Sequence, residues 1–287
     1  MLLSEQGGTQ FDLKFRLFGV SIRVHPFFWL VTALLGWNTV SKGFEYLLVW
    51  IACCFFSILM HEMGHVLMGR LFGTHGHIVL QGLCGLAVGA SGLYDRWKRV
   101  LVILAGPGIQ LVFTALLLAG LARFGNTKPL PDEYLEKLNA VDQLLRQAEH
   151  LTSQPEWPEH VQDAIWYFFQ INLFWALMNL LPVFPLDGGQ VCREFCTWLW
   201  PADGIRYALV VSIVVAAAVA LNSLSAKMHG PHIPYLPTGG TWLAIFFGLL
   251  AFESYQNLQF ENAKRSRWHE PDDRLPWESD PDEWKRR

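Results

Sequence analysis

Hydrophobic and polar positions along this chain separate into long blocks rather than short alternations. Six apolar runs, at about 25–41, 44–69, 98–122, 163–183, 205–224 and 240–256, come close to or exceed the roughly 20 residues that a helix needs to cross a bilayer. Between the second and third lies "GTHGHIVLQGLCGLAVGASG", rich in Gly and β-branched residues, which predicts a short hairpin dipping into the membrane. A polar insertion at about 124–161 has an amphipathic period in its middle (Leu135, Leu138, Val141, Leu144, Leu145) and predicts one surface helix. From 257 the chain is charged and carries Trp268, Trp277 and Trp284, a composition that suits a disordered or membrane-surface tail. The pattern therefore predicts an all-α polytopic membrane protein with about six transmembrane helices and a membrane-entering β-hairpin between the second and third. Its organisation is a membrane-embedded domain over 1–256 and a cytosolic tail over 257–287.

Composition agrees with that class. The 287 residues are 52% hydrophobic and 14% aromatic, too apolar for an ordinary soluble domain. Basic residues are scattered between apolar blocks rather than gathered in a patch, so nothing points to nucleic acid. The N-terminal stretch lacks a basic start, an apolar run and a small-residue cleavage site, which reads as a cytosolic segment rather than a removable signal. Cys53, Cys54, Cys84, Cys192 and Cys196 sit in or beside apolar segments and predict no disulfide framework. With both termini in the cytosol, only Lys42, Arg123, Lys128, Lys137, Arg146 and Lys227 of the 22 Lys and Arg fall outside. Six crossings with both ends inside is the arrangement this bias favours.

Candidate chemistry begins inside the second run, where "MHEMGH" places His61, Glu62 and His65 at membrane depth. Ionisable groups there are costly and point to function. On a helix His61 and His65 share one face and can offer imidazoles to a single ion, while Glu62 projects about 100° round, towards water at that ion. A catalytic zinc usually takes a third protein ligand, and "NLLPVFPLDGGQ" offers Asp187. Pro182 and Pro185 break the preceding helix, and Gly188 and Gly189 permit the irregular backbone that would present the carboxylate. The second and fourth runs are separated by one crossing, run parallel, and bring both motifs to the cytosolic side, so His61, His65 and Asp187 can converge.

"HEMGH" in one helix with "NLLPVFPLDGG" in a later one resembles the site-2 protease family of intramembrane zinc metalloproteases, peptidase family M50, over roughly residues 14–255. The six-helix plan and "RVHPFFWLV" are most similar to its sporulation factor IVFB-like branch. The resemblance implies one Zn2+ held by His61, His65 and Asp187, Glu62 as catalytic base, and Asn179 near the substrate carbonyl. It also matches "GLCGLAVG" to the family's glycine-bearing hairpin, with Gly82 and Gly85 as substrate-binding positions, and "AGPGIQ" to the small-residue motif of the third core helix. Two positions depart from the pattern: Gly82 and Gly85 are not adjacent, and Gln110 stands where the family has Asn.

The implied activity is hydrolysis of a peptide bond in or near a transmembrane segment of a single-span membrane protein, in regulated intramembrane proteolysis. The lipid bilayer and a regulatory membrane partner are the other expected associates, and the bacterial plasma membrane is the expected location. A membrane zinc peptidase of another clan, and a non-catalytic metal-binding protein of the same fold, remain alternatives. A metal transporter would show ligands on several helices and an internal repeat, and neither is visible. Ala105, Gly106 and Gly108 around Pro107 are read as a close-packing face, Cys192 and Cys196 as packing residues, and His75 and His77 as surface or hairpin histidines.

Overall fold

The fold is described from a computed structural model covering residues 8–82, 84–88, 93–125, 140–154, 156–228, 230, 233 and 240–269. The chain divides into two compact units, Met1–Leu181 and Pro182–Arg287.

The first unit opens with strands β1 (Leu13–Leu17) and β2 (Val20–Val24), paired antiparallel. Their two-residue turn holds Phe18 at φ 50° and Gly19 at φ 73°, the left-handed pair that matches the twist of a hairpin. Helix α1 (Pro26–Leu35) follows, with proline at its first turn and the His25 ring accepting from the Phe27 N–H at 3.1 Å. Helix α2 (Phe44–Leu71) leads to β3 (His77–Gln81) and β4 (Cys84–Val88), which form a hairpin around Gly82 at φ 60°. β2 and β3 pair in parallel, giving one sheet in the order β1-β2-β3-β4. Val20, Ile22, Val24, Ile78 and Leu80 pack with Phe28 of α1 and with Ile58, Leu59, Met63 and Val66 of α2. The central turns of α2 are thereby clamped on the sheet. At its end Arg70 donates to the Phe18 and Gly19 carbonyls at 2.7 and 2.8 Å, tying the β1–β2 turn to α2.

Helix α3 (Arg96–Phe124), capped by the Asp95 carboxylate, is followed by α4 (Ala140–Thr152) and α5 (Glu159–Asn179). α4 lies in the expected insertion, but Ala148 and Leu145 pack with Phe169 and Leu173 of α5 and with Leu111, Leu117 and Leu118 of α3. Leu135 and Leu138 lie outside the described residues.

The second unit contains α6 (Asp187–Leu199), α7 (Gly204–Lys227) and α8 (Gly240–His269). α7 and α8 are joined in their apolar interface by Ser212 and Ser254, hydroxyl to hydroxyl at 2.8 Å.

Two features correct the sequence-based expectation, and two more bear on it. Among the described residues four strands, not one hairpin, form a sheet, so the protein is mostly helical with a small sheet rather than all-α. The run at 25–41 is a ten-residue helix and a short 3-10 turn (Trp37–Ser41), not one span. The indole of Trp50 fills the place a Gly36 side chain would take and donates to the Thr32 carbonyl, so the chain turns at Gly36. Among the described residues three helices, α2, α3 and α7, are long and apolar enough to cross a membrane. Finally, α8 continues through 257 to His269 as one helix; residues 270–287 of the expected tail lie outside the described residues.

Candidate metal centre

His61 and His65 lie one turn apart in the buried half of α2, with 3% and 9% of their surface exposed. Their rings meet edge to face with centroids 4.7 Å apart, and the two Nε2 atoms are 3.1 Å from each other. This is the shared face that the i, i+4 spacing predicts. Glu62, between them in sequence, is also buried.

α3 shapes this face from behind. His65 Nδ1 lies 2.8 Å from the Val102 carbonyl; a carbonyl only accepts, so Nδ1 carries the proton and Nε2 the lone pair. His61 Nδ1 lies 2.9 Å from Gln110 Oε1. The helices approach closely because Gly64 and Gly106 have no side chain. A Cβ on Gly64 would sit 2.5 Å from the Ala105 carbonyl oxygen, and one on Gly106 would sit 2.2 Å from His65 Nε2. The close-packing expectation thus describes Gly106, whereas Gly108 faces open space.

The donor set fits zinc. Two imidazole nitrogens converge within a few ångströms, with the second ring nitrogen of each engaged by the protein, as metal-binding histidines usually are. With a proton on each Nδ1, the two Nε2 atoms at 3.1 Å turn lone pairs toward one another, an arrangement that a shared cation relieves.

Asp187, the expected third ligand, belongs to the second unit, where it is the first residue of α6 and 7% exposed. The loop before it is held in place from several sides. The Phe184 N–H donates to Ser212 Oγ at 2.7 Å, and the Leu186 N–H to the Val183 carbonyl at 2.8 Å. Gln190 Nε2 donates to the Pro185 carbonyl at 3.2 Å. A Cβ on Gly189 would lie 2.4 Å from the Val183 carbonyl carbon, so α6 starts hard against that backbone and only glycine fits there.

Asn179 ends α5, largely buried, and donates to the Trp175 carbonyl one turn back at 3.0 Å. Gly82 forms the β3–β4 turn, and Gly85 pairs with Leu80 in β4. Cys192 and Cys196 lie with sulfurs 3.9 Å apart on α6, a contact within one helix face.

Sequence reasoning missed the supporting residues. Gln110 stood out only as a departure from a motif, while Ser57, Val102 and Asn172 were passed over. Two of them left a trace: Ser57 is one turn before His61, and Asn172 interrupts the apolar "FFQINLFWALM".

The profile of peptidase family M50 matches residues 49–221. A Synechocystis sp. protein named as a candidate zinc metalloprotease is 27% identical over 261 residues, covering 84% of this chain and 59% of its own length. Rip3 of Mycobacterium tuberculosis, named in the same way, is 23% identical over 253 residues, with 83% and 56% covered. The chain thus spans under six-tenths of the length of these curated relatives. Among solved structures, the site-2 protease from Methanocaldococcus jannaschii shares the fold, with a TM-score of 0.53 at 18% identity, covering 86% of this chain and 95% of that one.

Proposed function

The chain belongs to peptidase family M50, and with that as premise we propose that it is an intramembrane zinc metalloprotease. It would hydrolyse a peptide bond in or near a transmembrane segment of a single-span membrane protein. Family membership and its apolar helices make it an integral membrane protein; the bacterial plasma membrane, with both termini in the cytosol, is the setting we propose. "RVHPFFWLV" is the basis for assigning it to the sporulation factor IVFB-like branch.

The observation that carries this reading is the buried pair of imidazoles, 3.1 Å apart at Nε2, with Glu62 on the same turn. His61, His65 and Asp187 would hold the ion. Zinc, when bound, supplies Lewis acidity toward the scissile carbonyl and brings the pKa of water toward about 7. Glu62 takes the proton of the attacking water and returns it to the leaving amine nitrogen. Asn179, at the end of α5, would steady the substrate carbonyl.

A helical substrate hides its carbonyls in internal hydrogen bonds, so it must be locally unwound. β4 is an outer strand of the sheet, and an outer strand can accept an extended peptide by strand addition. The Gly82–Gly85 hairpin would do so at the membrane, and substrates should carry helix-weakening Gly, Pro or Asn near the cut. Control would rest with a membrane partner, or with another protease that trims the substrate first.

The test compares membrane-protein fragments from cells expressing the natural protein with cells expressing Glu62→Gln, which should keep zinc and fold but lose about 10²–10⁴-fold in rate. One or a few single-span proteins should accumulate uncut in the variant alone. Matching profiles under every condition in which the protein is made would favour a non-catalytic metal-binding protein. Equal cleavage of a substrate with and without its helix-weakening residues would sink the unwinding step.

A further inference from the structure

Gln110 has no exposed surface and sits in the apolar run of α3. A buried primary amide must place two donors and an acceptor, and its partners here assign which end is which. Its Nε2 lies 3.1 Å from the Ser57 carbonyl oxygen and 3.3 Å from Asn172 Oδ1. A backbone carbonyl only accepts, so the amide nitrogen has to face it. Asn172 is oriented in the same way: its Nδ2 donates to the Phe168 carbonyl at 2.7 Å and to Ser57 Oγ at 2.9 Å, leaving Oδ1 to accept. Ser57, Gln110 and Asn172, all with zero exposure, therefore form one network in which backbone carbonyls fix the direction of each bond.

The end left over, Gln110 Oε1, faces His61 Nδ1 at 2.9 Å. An amide oxygen accepts only, so His61 Nδ1 carries the proton and Nε2 the lone pair. Gln110 thus spans one turn of α2, from the Ser57 carbonyl to the His61 ring. We infer that Gln110, held by Asn172 and the Ser57 carbonyl, is a positioning residue that locks His61 in its Nδ1–H tautomer and aims Nε2 at the metal. The inference rests on the metal-centre reading above. It also separates the two histidines. His65 is fixed by the Val102 backbone carbonyl, which no substitution of Val102 deletes, whereas the His61 lock is a side chain and can be removed.

The experiment uses the full chain purified in detergent, with zinc alone as probe, and reads affinity by competition with a chromophoric chelator. Gln110→Met keeps the bulk but loses the acceptor; Gln110→Glu keeps an accepting oxygen at the same reach. Met should weaken zinc binding about 10–100-fold, the usual effect of losing such a partner, and Glu should restore most of it. In 15N-histidine spectra of the metal-free protein, His61 should show the Nδ1–H tautomer in the natural chain and a mixture in Gln110→Met, while His65 stays unchanged. General loosening of the helices would disturb both histidines. Equal zinc affinity and an unchanged His61 tautomer in Gln110→Met overturn the inference while leaving the metal centre standing. A natural chain that binds no zinc overturns both. If Gln110→Met does not fold, Asn172→Ala decides: a several-fold loss of affinity with a mixed His61 tautomer supports the lock, and no change overturns it.

Discussion

At Gly106 the absence of a side chain is a condition of the site, because His65 Nε2 lies 2.2 Å from where a Cβ would stand. The ring cannot simply retreat, since its other nitrogen is tied to the Val102 carbonyl. Alanine at 106 would gain about 1 kcal/mol of helix propensity but meet an overpacking cost of about 1–3 kcal/mol, so the net effect on stability is modest. The larger effect falls on His65, and Gly106→Ala should weaken zinc binding by about 10-fold or more, as displaced ligand geometry does. Gly108, two residues on, has nothing within 4 Å of its would-be Cβ. Gly108→Ala should therefore be neutral or raise the melting temperature, with zinc affinity intact. Zinc affinity and thermal unfolding of both variants in detergent check the contrast, and a Gly106→Ala protein with unaltered zinc affinity would show that the ring has room the geometry denies it.

Among elements, the second unit offers a pH-dependent link. Asp203 precedes α7 and accepts from Arg206 at 3.0 Å and from Arg265 near the end of α8. The hydrogen bond from Arg206, with that from Arg265, holds its carboxyl below the usual 3.8. A carboxylate with a depressed pKa contributes stability that is present above its unfolded value and lost as pH falls through its folded one. Acid unfolding of the natural chain should therefore include a component below about pH 4 that Asp203→Asn lacks, the variant being less stable at pH 7 and converging with the natural chain in acid. The cluster is partly exposed and screened, so the shift should be small and shrink with salt; parallel acid-unfolding curves would remove Asp203 from the account.

Elements also show what the sequence made legible. The metal helix was readable because His61 and His65 repeat at helical spacing, and the α6 start because prolines and glycines bracket Asp187. The strands were equally visible in principle: Leu13, Phe15 and Leu17, then Val20, Ile22 and Val24, alternate at the strand period. They were passed over because β2 finds its parallel partner β3 only after α1 and α2 intervene, a pairing no local pattern announces. The shortness of α1 was hidden for the same reason, since Gly36 breaks the run only because Trp50, well along α2, fills its space. Gln110 could be seen as polar in an apolar helix, but its contact with His61 depends on how α3 lies against α2.

For the whole molecule the open quantity is the parity of crossings. Three described helices are long and apolar enough to span, and an odd number of crossings puts the termini on opposite sides; the six expected from the apolar runs puts them on one. The distribution of basic residues favours the even number. Lys14, Arg16 and Arg23 flank the start of the first apolar run, and Lys264, Arg265 and Arg267 follow the last, and such residues are retained in the cytosol. Lys42, by contrast, lies in the turn before α2, paired with Asp163 of α5 at 2.6 Å. The topology we propose puts that pair outside, where one base neutralised by an acid adds little against the inward bias. A cytosol-active fluorescent reporter should therefore light up when fused after residue 287, and an exported phosphatase should be active when inserted at about residue 130. Cysteine labelling at Lys14→Cys and Lys42→Cys should place these residues on opposite faces, because Arg70 ties the β1–β2 turn to the end of α2 while Lys42 precedes its start. A silent fluorescent fusion at the C-terminus with Lys14→Cys still protected from outside would make the crossing number odd. The expected parallel course of the second and fourth apolar runs, α2 and α5, would then have to be abandoned if the missing crossing proved to lie between them.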